Sequence, residues 1–253
     1  LAKSADIIAV KTGLGRSFIG VVLLATATSL PELGTGLSSV ALVGEPDLAA
    51  GDAFGSNLFN LLIIGILDLF WRNGPILNAV SPTAVLVAAL GIAFIALAGI
   101  ATLVHGATVS GSGWPLSPAS ALMILLFVGS MFMIFQHERA QPRNNGPASE
   151  AEAYEEAKLG RAVVTYVVAA VVVVVTAVFL ATIGDGLAEE MGWEKGFVGT
   201  LFLAFSTSLP ELATSFAAIR LRAPELAISN VLGSNLFNMG FVLFLDDVAY
   251  VQG

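Results

Sequence analysis

The chain alternates between long apolar runs and short polar stretches. A helix needs about 20 apolar residues to cross a bilayer, and most of the runs reach that length. Charged residues are nearly absent within the runs and gather between them. The pattern predicts an all-α integral membrane protein with about eight spans, the first of them cut short. These spans are predicted at residues 1–10, 18–42, 48–70, 79–104, 117–136, 161–183, 197–219 and 225–245.

Two polar hexapeptides interrupt the apolar runs, and each occurs twice. Thr-Ser-Leu-Pro-Glu-Leu occupies Thr28–Leu33 and Thr207–Leu212, and Gly-Ser-Asn-Leu-Phe-Asn occupies Gly55–Asn60 and Gly233–Asn238. The first pair is separated by 179 residues and the second pair by 178, so the order and spacing are preserved. The chain is therefore built from a duplicated unit.

The positively charged residues predict how the chain is oriented. When the loops are numbered alternately, nine Lys and Arg residues fall on one side and only Lys195 on the other. The crowded side is cytoplasmic by the positive-inside rule. The spans at 18–42 and 197–219 then cross in opposite directions, as in the inverted repeats of many secondary transporters. The nine residues are Lys11, Arg16, Arg72, Arg139, Arg143, Lys158, Arg161, Arg220 and Arg222.

The same pattern divides the chain into two halves. The first transmembrane half covers residues 1–136, with one repeat at about 13–70. A polar linker at 137–160 is predicted to be cytoplasmic and solvated. The second half covers 161–253, with its repeat at about 192–245, and we expect it to be truncated.

Composition supports a membrane protein and excludes some kinds of site. Hydrophobic residues make up 56% of the 253 residues and charged residues 12%, which is far from a soluble domain. Cysteine is absent, so disulfides and thiolate metal sites are excluded. The net charge of −8 arises mostly from loops and helix ends and carries no inference about nucleic acid, and no nucleic-acid partner is expected.

Glu32 and Glu211 lie in the middle of predicted spans. A carboxylate at this depth costs on the order of 2–3 kcal/mol, so it should face the bundle interior or a water-filled cavity. Pro31 and Pro210 remove a backbone N–H and crowd the carbonyl four residues back, which partly releases the carbonyls of the preceding turn. A broken helix that exposes carbonyl oxygens beside a carboxylate suits a hard cation.

The second hexapeptide supplies further oxygen atoms. Ser56 and Asn60 are four residues apart and share a helix face, and Ser234 and Asn238 repeat this spacing. A pseudo-twofold axis in the membrane plane would bring all these groups to one centre. The donor set contains only oxygen, which favours Ca²⁺ or Na⁺ over zinc or copper.

These motifs resemble the α-repeats of the cation/calcium exchanger superfamily, of which sodium/calcium exchangers are one branch. That family carries Gly-Thr-Ser-x-Pro-Glu and then Gly-Asn-x-x-Gly-Ser-Asn-x-x-Asn/Asp. The first element corresponds to Ala27–Glu32 and Ser206–Glu211, and the second to Gly51–Asn60 and Ser229–Asn238. The match covers both repeats, about half of the chain, and a complete member would have ten spans.

The resemblance also implies a role for each matched polar residue. The glutamates would coordinate Ca²⁺ and share in Na⁺ sites, and two threonine backbone carbonyls would bind Ca²⁺. Four serine hydroxyls and two alanine carbonyls would serve Na⁺, and two asparagines would lie at the centre. These residues are Glu32, Glu211, Thr28, Thr207, Ser29, Ser56, Ser208, Ser234, Ala25, Ala204, Asn60 and Asn238.

Three features depart from the family pattern. Asn238 stands where some sodium/calcium exchangers have Asp, and Ala27 and Ser206 replace Gly, so the helix break relies more on proline. Asp52 stands where Asn is usual, as at Asn230. We place Asp52 near the extracellular end of its helix, either as a carboxylate favoured by the helix dipole or as an ion-attracting group at the entrance.

The predicted function is a secondary active antiporter that exchanges Ca²⁺ for Na⁺ by alternating access, in a bacterial or archaeal cell membrane. Two facing carboxylates are neutralised equally by Ca²⁺, two Na⁺ or two H⁺, so exchange of Ca²⁺ or another cation for H⁺ is the alternative on the same scaffold. The ions are substrates, and neither a resident cofactor nor an enzymatic activity is expected.

Two other classes are weaker alternatives. An ion channel on this scaffold would conduct ions downhill without counterflow. An intramembrane aspartyl protease would use Asp6 and Asp185, which align at the 179-residue shift near the ends of two spans. A position near the span ends does not suit a catalytic pair, which would lie at the membrane centre. Solvation at helix ends explains why both residues are charged.

Overall fold

Helices account for almost all of the structure. The computed structural model describes residues 1–108, 118–140, 154–194, 197 and 199–244, and within these ranges it contains no strand. The α-helices are α1 (Ala2–Thr12), α2 (Arg16–Ile19), α3 (Thr26–Thr28), α4 (Leu30–Ser38), α5 (Pro46–Phe70), α6 (Pro82–Thr108), α7 (Pro118–Ala140), α8 (Leu159–Met191), α9 (Ala204–Thr207), α10 (Leu209–Arg220) and α11 (Pro224–Phe237).

Four π-helical segments widen these helices. A π-turn places one extra residue in the backbone ring, and such turns often occur at functional sites. Two of the segments lead into the Thr-Ser-Leu-Pro-Glu-Leu motifs, one ends the first broken helix, and one begins at the last residue of the second Gly-Ser-Asn motif. They are π1 (Gly20–Ala25), π2 (Ser39–Val43), π3 (Gly199–Leu203) and π4 (Asn238–Val242).

Both proline motifs break their helices, as the sequence predicts. Ser29 has φ −89° and ψ 5° and separates α3 from α4, and Ser208 has φ −80° and ψ −1° and separates α9 from α10. Pro31 and Pro210 lie in the first turn of the new helix. That turn has no intrahelical use for the missing N–H, so proline is tolerated there.

Most of the predicted spans are long apolar helices. Within the described residues, five helices are long and apolar enough to cross a membrane. The predicted short span at 1–10 is α1, the span at 161–183 lies in α8, and the span at 225–245 corresponds to α11 with π4 as far as Val242. The five helices are Arg16–Leu42, Pro46–Phe70, Pro82–Ala101, Ala119–Ala140 and Leu201–Arg220.

The outer helices expose apolar side chains. Ile92 on α6 is 69% exposed, Leu125 on α7 is 69% exposed and Phe179 on α8 is 67% exposed. A soluble protein rarely exposes a continuous surface of this kind. These faces are the surface that meets the acyl chains of the bilayer.

Helix α11 forms the centre of the bundle. It packs against π1, α10, α6 and α5, and its residues from Leu226 to Phe237 are buried except Leu232. One apolar cluster contains Leu226, and a second contains Leu236. The buried polar side chains of Asn230 and Ser234 lie on the helix between these two residues. A polar layer therefore separates two apolar clusters along α11.

The two repeats touch through glycine. A Cβ atom on Gly233 of α11 would lie 2.8 Å from the Cα atom of Val21 in π1. A Cβ atom on Gly20 would lie 2.8 Å from the Cβ atom of Ser229. Small residues allow membrane helices to approach this closely, so the two repeats meet almost backbone to backbone.

The described end of the predicted linker 137–160 contacts the first half of the chain. Helix α7 continues to Ala140, so residues 137–140 are helical, and residues 141–153 lie outside the described residues. The Tyr154 hydroxyl donates a hydrogen bond of 2.9 Å to Asp6 of α1. This part of the linker is docked rather than fully solvated.

Candidate cation site

Each repeat supplies a threonine hydroxyl to the polar residues of the other repeat. Thr28 Oγ1 donates to Asn230 Oδ1 at 3.2 Å. In the equivalent place, Thr207 Oγ1 lies 2.9 Å from Asp52 Oδ1 and 3.2 Å from Ser56 Oγ. All of these side chains are at most 1% exposed. The two helix breaks therefore meet the helices of the Gly-Ser-Asn motifs in one buried layer.

Glu211 is held by hydroxyls from both repeats. Its Oε1 atom accepts hydrogen bonds from Ser29 Oγ at 3.2 Å and from Ser234 Oγ at 3.1 Å. Its Oε2 atom is buried and has no hydrogen-bond partner among the described residues. One side of the carboxylate is thus oriented by the protein, and the other remains available to a ligand.

Glu32 occupies the equivalent place in the first repeat without equivalent partners. It is 1% exposed, and neither of its carboxylate oxygens is hydrogen-bonded to any described residue, although Ser56 lies beside it. Ser208 Oγ also lacks a described partner. Glu211 and Asp52 are close enough to repel Glu32 electrostatically. A buried carboxylate without partners is costly, so this is the point of the site that most requires a cation.

The asparagines of the second motif are buried on the same helices. Asn60 Nδ2 donates to Asn235 Oδ1 of the other repeat at 2.9 Å. Asn60 Oδ1 and both amide atoms of Asn238 have no hydrogen-bond partner within the described part of the chain. Amide oxygens in this state are potential ligands for a hard cation.

The carbonyls of Ala25 and Ala204 lie at the helix breaks, as predicted. Ala25 O accepts from the Ser29 backbone N–H at 2.9 Å, and Ala204 O accepts from that of Ser208 at 3.1 Å. Both carbonyls therefore still accept a backbone hydrogen bond, and the helix break does not release them fully. Each carbonyl oxygen also lies 3.3 Å from a threonine hydroxyl, Thr28 Oγ1 at Ala25 and Thr207 Oγ1 at Ala204, so a cation would replace that contact.

Asp52 does not lie at a solvent-facing helix end, and the expected entrance position is wrong. The side chain is 1% exposed and sits in the second turn of α5, inside the polar layer. It accepts a short hydrogen bond from Thr35 Oγ1, in addition to its contact with Thr207. Asp52 is a third buried carboxylate at the site.

Thr35 and Thr214 belong to the site and were missed by the motif search. Thr214 Oγ1 accepts from Asn230 Nδ2 at 3.1 Å, just as Thr35 contacts Asp52 in the first repeat. The two threonines are three residues beyond Glu32 and Glu211 and follow the same 179-residue shift. Extending the comparison of the repeats past the hexapeptides would have found them.

The site combines carboxylates with neutral oxygens. Within the described ranges, no three His, Cys, Asp or Glu side chains are grouped closely enough to hold a metal ion by themselves. A cation at this site would therefore need hydroxyl, amide and carbonyl oxygens beside the carboxylates. Such a mixed oxygen set suits Ca²⁺ and ions of similar hardness.

Both repeats of the chain match a known protein family. A model described as "Sodium/calcium exchanger protein" matches residues 1–137 and 161–245. The match covers both repeats and omits most of the predicted linker. The chain belongs to the sodium/calcium exchanger family.

This exchanger-family protein has relatives that match nearly its whole length. It is 27% identical to the inner membrane protein YrbG of Escherichia coli (strain K12), over 97% of this chain and 73% of that protein. It is 29% identical to the putative antiporter CaxA of Alkalimonas amylolytica, over 94% of this chain and 72% of that protein. It is 24% identical to the sodium/calcium exchanger MaX1 of Methanosarcina acetivorans, over 98% of this chain and 77% of that protein.

Solved structures of the sodium-calcium exchanger NCX_Mj share the fold. One structure, soaked with Na⁺ and Sr²⁺, superposes with a TM-score of 0.66 at 20% sequence identity, over 97% of this chain and 75% of that chain. The exchanger-family protein therefore has the predicted all-α membrane fold with two inverted repeats.

The structure argues against the protease alternative. Asp6 is 1% exposed and forms an ion pair with Arg16, with 2.6 Å between Arg16 Nε and Asp6 Oδ1. Its expected solvation at a helix end is therefore wrong, and it is not free to act as a catalytic acid. The side chain of Asp185 lies outside the described part of the structure.

Proposed function

We propose that this family member is a secondary active antiporter that exchanges Ca²⁺ for Na⁺ across the membrane. The observation that carries the proposal is the pair of buried glutamates, one from each inverted repeat, in a layer of hydroxyl and amide groups. Glu32 is left without a described hydrogen-bond partner, and Glu211 is only half satisfied. Two relatives, the sodium/calcium exchanger MaX1 and the putative antiporter CaxA, support the same class.

The charge of the site provides a reason for coupling. A carboxylate left unpaired at membrane depth costs on the order of 2–3 kcal/mol, so the empty site resists being enclosed. Binding of Ca²⁺ or of Na⁺ removes this penalty. The protein then changes its access only when loaded, and a return without ions is too slow to uncouple the two fluxes.

Alternating access would come from α1 and α8 moving over the core. Helix α8 packs along α4 and α1, and none of the site residues lies on α1 or α8. Residues of the site belong to the broken helices and to α5 and α11, which hold one another through Gly233 and the threonine contacts. A rigid core with two mobile outer helices would present the same site to each side in turn.

Exchange of Ca²⁺ for H⁺ is the second candidate on this scaffold. Asn238 stands where some sodium/calcium exchangers carry Asp, so this position provides no carboxylate for a sodium ion. Protons can neutralise Glu32 and Glu211 as well as sodium ions can.

Ion gradients separate these possibilities. The full-length protein is reconstituted into vesicles, and uptake of radioactive Ca²⁺ is followed with an outward Na⁺ gradient or, separately, a pH gradient. We expect uptake with the Na⁺ gradient alone. Uptake with the pH gradient alone would assign the protein to cation/proton exchange. Downhill Ca²⁺ flux that needs neither counter-ion would indicate a channel.

We further propose that the protein acts in a bacterial or archaeal cell membrane, with the linker 137–160 on the cytoplasmic side. The relatives from Escherichia coli and Methanosarcina acetivorans support the bacterial or archaeal membrane, and the distribution of positive residues supports the orientation. The transported ions are the substrates, and the proposed cycle needs no resident cofactor.

A further inference from the structure

A shallow apolar crevice lies between α5 and the second broken helix, which consists of α9 and α10. Several of its walls are exposed leucine and phenylalanine side chains, and the described residues that line it are apolar except for Ser208 of the cation site. The crevice therefore extends from the surface that faces the bilayer to the helix break in the middle of the membrane. The lining residues used below are Leu62, Ile66, Phe205, Ser208, Leu209 and Leu212.

The crevice leads to two arginines at the ends of the same helices. Phe70 of α5 and Phe216 of α10 continue the apolar contact beyond the crevice, with their ring centroids 5.1 Å apart. Arg72 follows Phe70 by two residues. Arg220 lies one helical turn beyond Phe216 on the same helix face. The two helices therefore bring both arginines to the same end of the crevice.

The positive charge at this end is not balanced by the protein. Arg72 and Arg220 are exposed, and the side chain of neither forms an ion pair or a hydrogen bond with another described residue. Asp68, on the last turn of α5, accepts a hydrogen bond of 2.6 Å from the Ile76 backbone N–H. Arg222 adds a third exposed positive charge two residues beyond Arg220. Guanidinium groups bind phosphate strongly, so this end of the crevice suits an anionic headgroup.

The distance between the crevice and the arginines matches one leaflet of a bilayer. Ser208 and Arg220 are twelve residues apart along α10, which corresponds to about 18 Å at the rise of an α-helix. One leaflet contributes about 15 Å to the hydrocarbon core of a membrane. A lipid with its phosphate beside Arg220 would therefore carry an acyl chain to the depth of Ser208.

We propose that an anionic phospholipid binds in this crevice, with its phosphate between Arg72 and Arg220 and one acyl chain against Leu62 and Leu209. The chain covers Ser208 and so separates the cation site from the bilayer on this side. A zwitterionic headgroup carries its own cation and complements the arginines less well. This site binds a lipid rather than a transported ion, and it does not depend on the proposed exchange of Ca²⁺ for Na⁺.

The headgroup is tested with Trp71, which lies between Phe70 and Arg72. The full-length protein, with every other tryptophan replaced by phenylalanine, is placed in vesicles that contain brominated phosphatidylglycerol and unlabelled phosphatidylcholine. Quenching of the Trp71 fluorescence measures which lipid binds beside it. An arginine near the membrane surface strengthens binding of anionic lipid about fivefold, so we expect a preference of about 25-fold for phosphatidylglycerol.

The double variant Arg72→Gln with Arg220→Gln should lose most of this preference. Arg161→Gln is the matched control, because it removes the same charge at an exposed position on α8. In detergent without added lipid, the double variant should unfold at the temperature of the parent, since neither side chain has a described partner. A parent without a preference, or a double variant that keeps it, would overturn the proposal.

The acyl chain is tested with a single cysteine in a cysteine-free form of the full-length protein. Leu209→Cys lies in the crevice, and Leu125→Cys on α7 is an exposed control. Phosphatidylglycerol added to the protein in detergent should slow the reaction of Leu209→Cys with N-ethylmaleimide at least fivefold and leave that of Leu125→Cys nearly unchanged. Equal protection of both, or of neither, would refute occupation of the crevice. If inorganic phosphate abolishes the lipid preference and no lipid protects Leu209→Cys, the arginines bind a free anion and the lipid proposal is wrong.

Discussion

Ser29 of the first repeat donates a hydrogen bond of 3.2 Å to Glu211 of the second repeat, whereas the equivalent Ser208 has no described partner. The pseudo-symmetric site is therefore unequal where the two glutamates lie. Hydrogen bonds to a charged group contribute about 1.5–3 kcal/mol. The second-repeat glutamate is oriented by the protein, and the first-repeat glutamate depends on an ion.

This asymmetry predicts different effects for the same substitution in the two repeats. Ser29→Ala should lower the stability of the ion-free protein by about 1.5–3 kcal/mol because it removes a hydrogen bond to a buried carboxylate. Ser208→Ala should change it by much less. Thermal unfolding of both variants in detergent without Na⁺ or Ca²⁺ measures the difference. Equal losses would contradict the asymmetric arrangement.

Gly233 should not accept even a methyl group. A Cβ atom there would lie 2.8 Å from the Cα atom of Val21, so Gly233→Ala has to push the two repeats apart. Overpacking of this kind costs about 1–3 kcal/mol, and transport should fall with it. Gly65 is the control, because a Cβ atom there meets no other atom within 4 Å. Gly65→Ala should leave stability and transport intact, and similar losses in both variants would refute the close contact.

Arg16 forms an ion pair with the buried carboxylate of Asp6 in α1. The Arg16 side chain is 17% exposed and that of Asp6 only 1%, so Arg16→Gln leaves a buried charge without its partner. We expect the free energy of unfolding to fall by about 3 kcal/mol. This is the lower end of the range for breaking a buried ion pair, because Arg16 is partly exposed. Denaturation in detergent provides the measurement, with Arg220→Gln at an exposed position as control. A loss no greater than in that control would show that the pair is unimportant.

Tyr166 ties the outer helix α8 to the core. Its hydroxyl donates to the carbonyl oxygen of Leu23 in π1. If α8 moves over the core during transport, Tyr166→Phe should change the turnover rate and leave the apparent Ca²⁺ affinity nearly unchanged. Thr176→Val is the control, because the described partners of that hydroxyl are the carbonyls of Val172 and Val173 within α8. An altered affinity with an unchanged rate would contradict the assignment of α8 as a moving element.

The helix breaks could be predicted because their cause is local. Proline at positions 31 and 210 cannot donate its backbone N–H and crowds the turn before it, so a break near Ser29 and Ser208 follows from the sequence alone. The burial of Glu32 and Glu211 follows equally from the cost of placing a carboxylate in lipid. The family motifs then supply the identity of most of the polar side chains around them.

The place of Asp52 could not be predicted because its cause is not local. Its partner Thr207 is 155 residues away, and the sequence only shows a carboxylate near the start of a helix. The pairing of Asp6 with Tyr154 is likewise formed between distant parts of the chain. The π-segments also have no sequence signal of their own, and two of them pack against the other repeat: π1 against α11 and π3 against α5.

The central claim is that Glu32 and Glu211 together form the exchange site. The most direct test is Na⁺-driven uptake of radioactive Ca²⁺ into vesicles that contain the full-length protein, Glu32→Gln or Glu211→Gln, with exposed Glu156→Gln as the matched control. Glutamine keeps the size of the side chain and removes its charge. We predict that uptake is lost in each site variant and kept in the control. Coupled uptake that persists in either site variant would contradict the assignment.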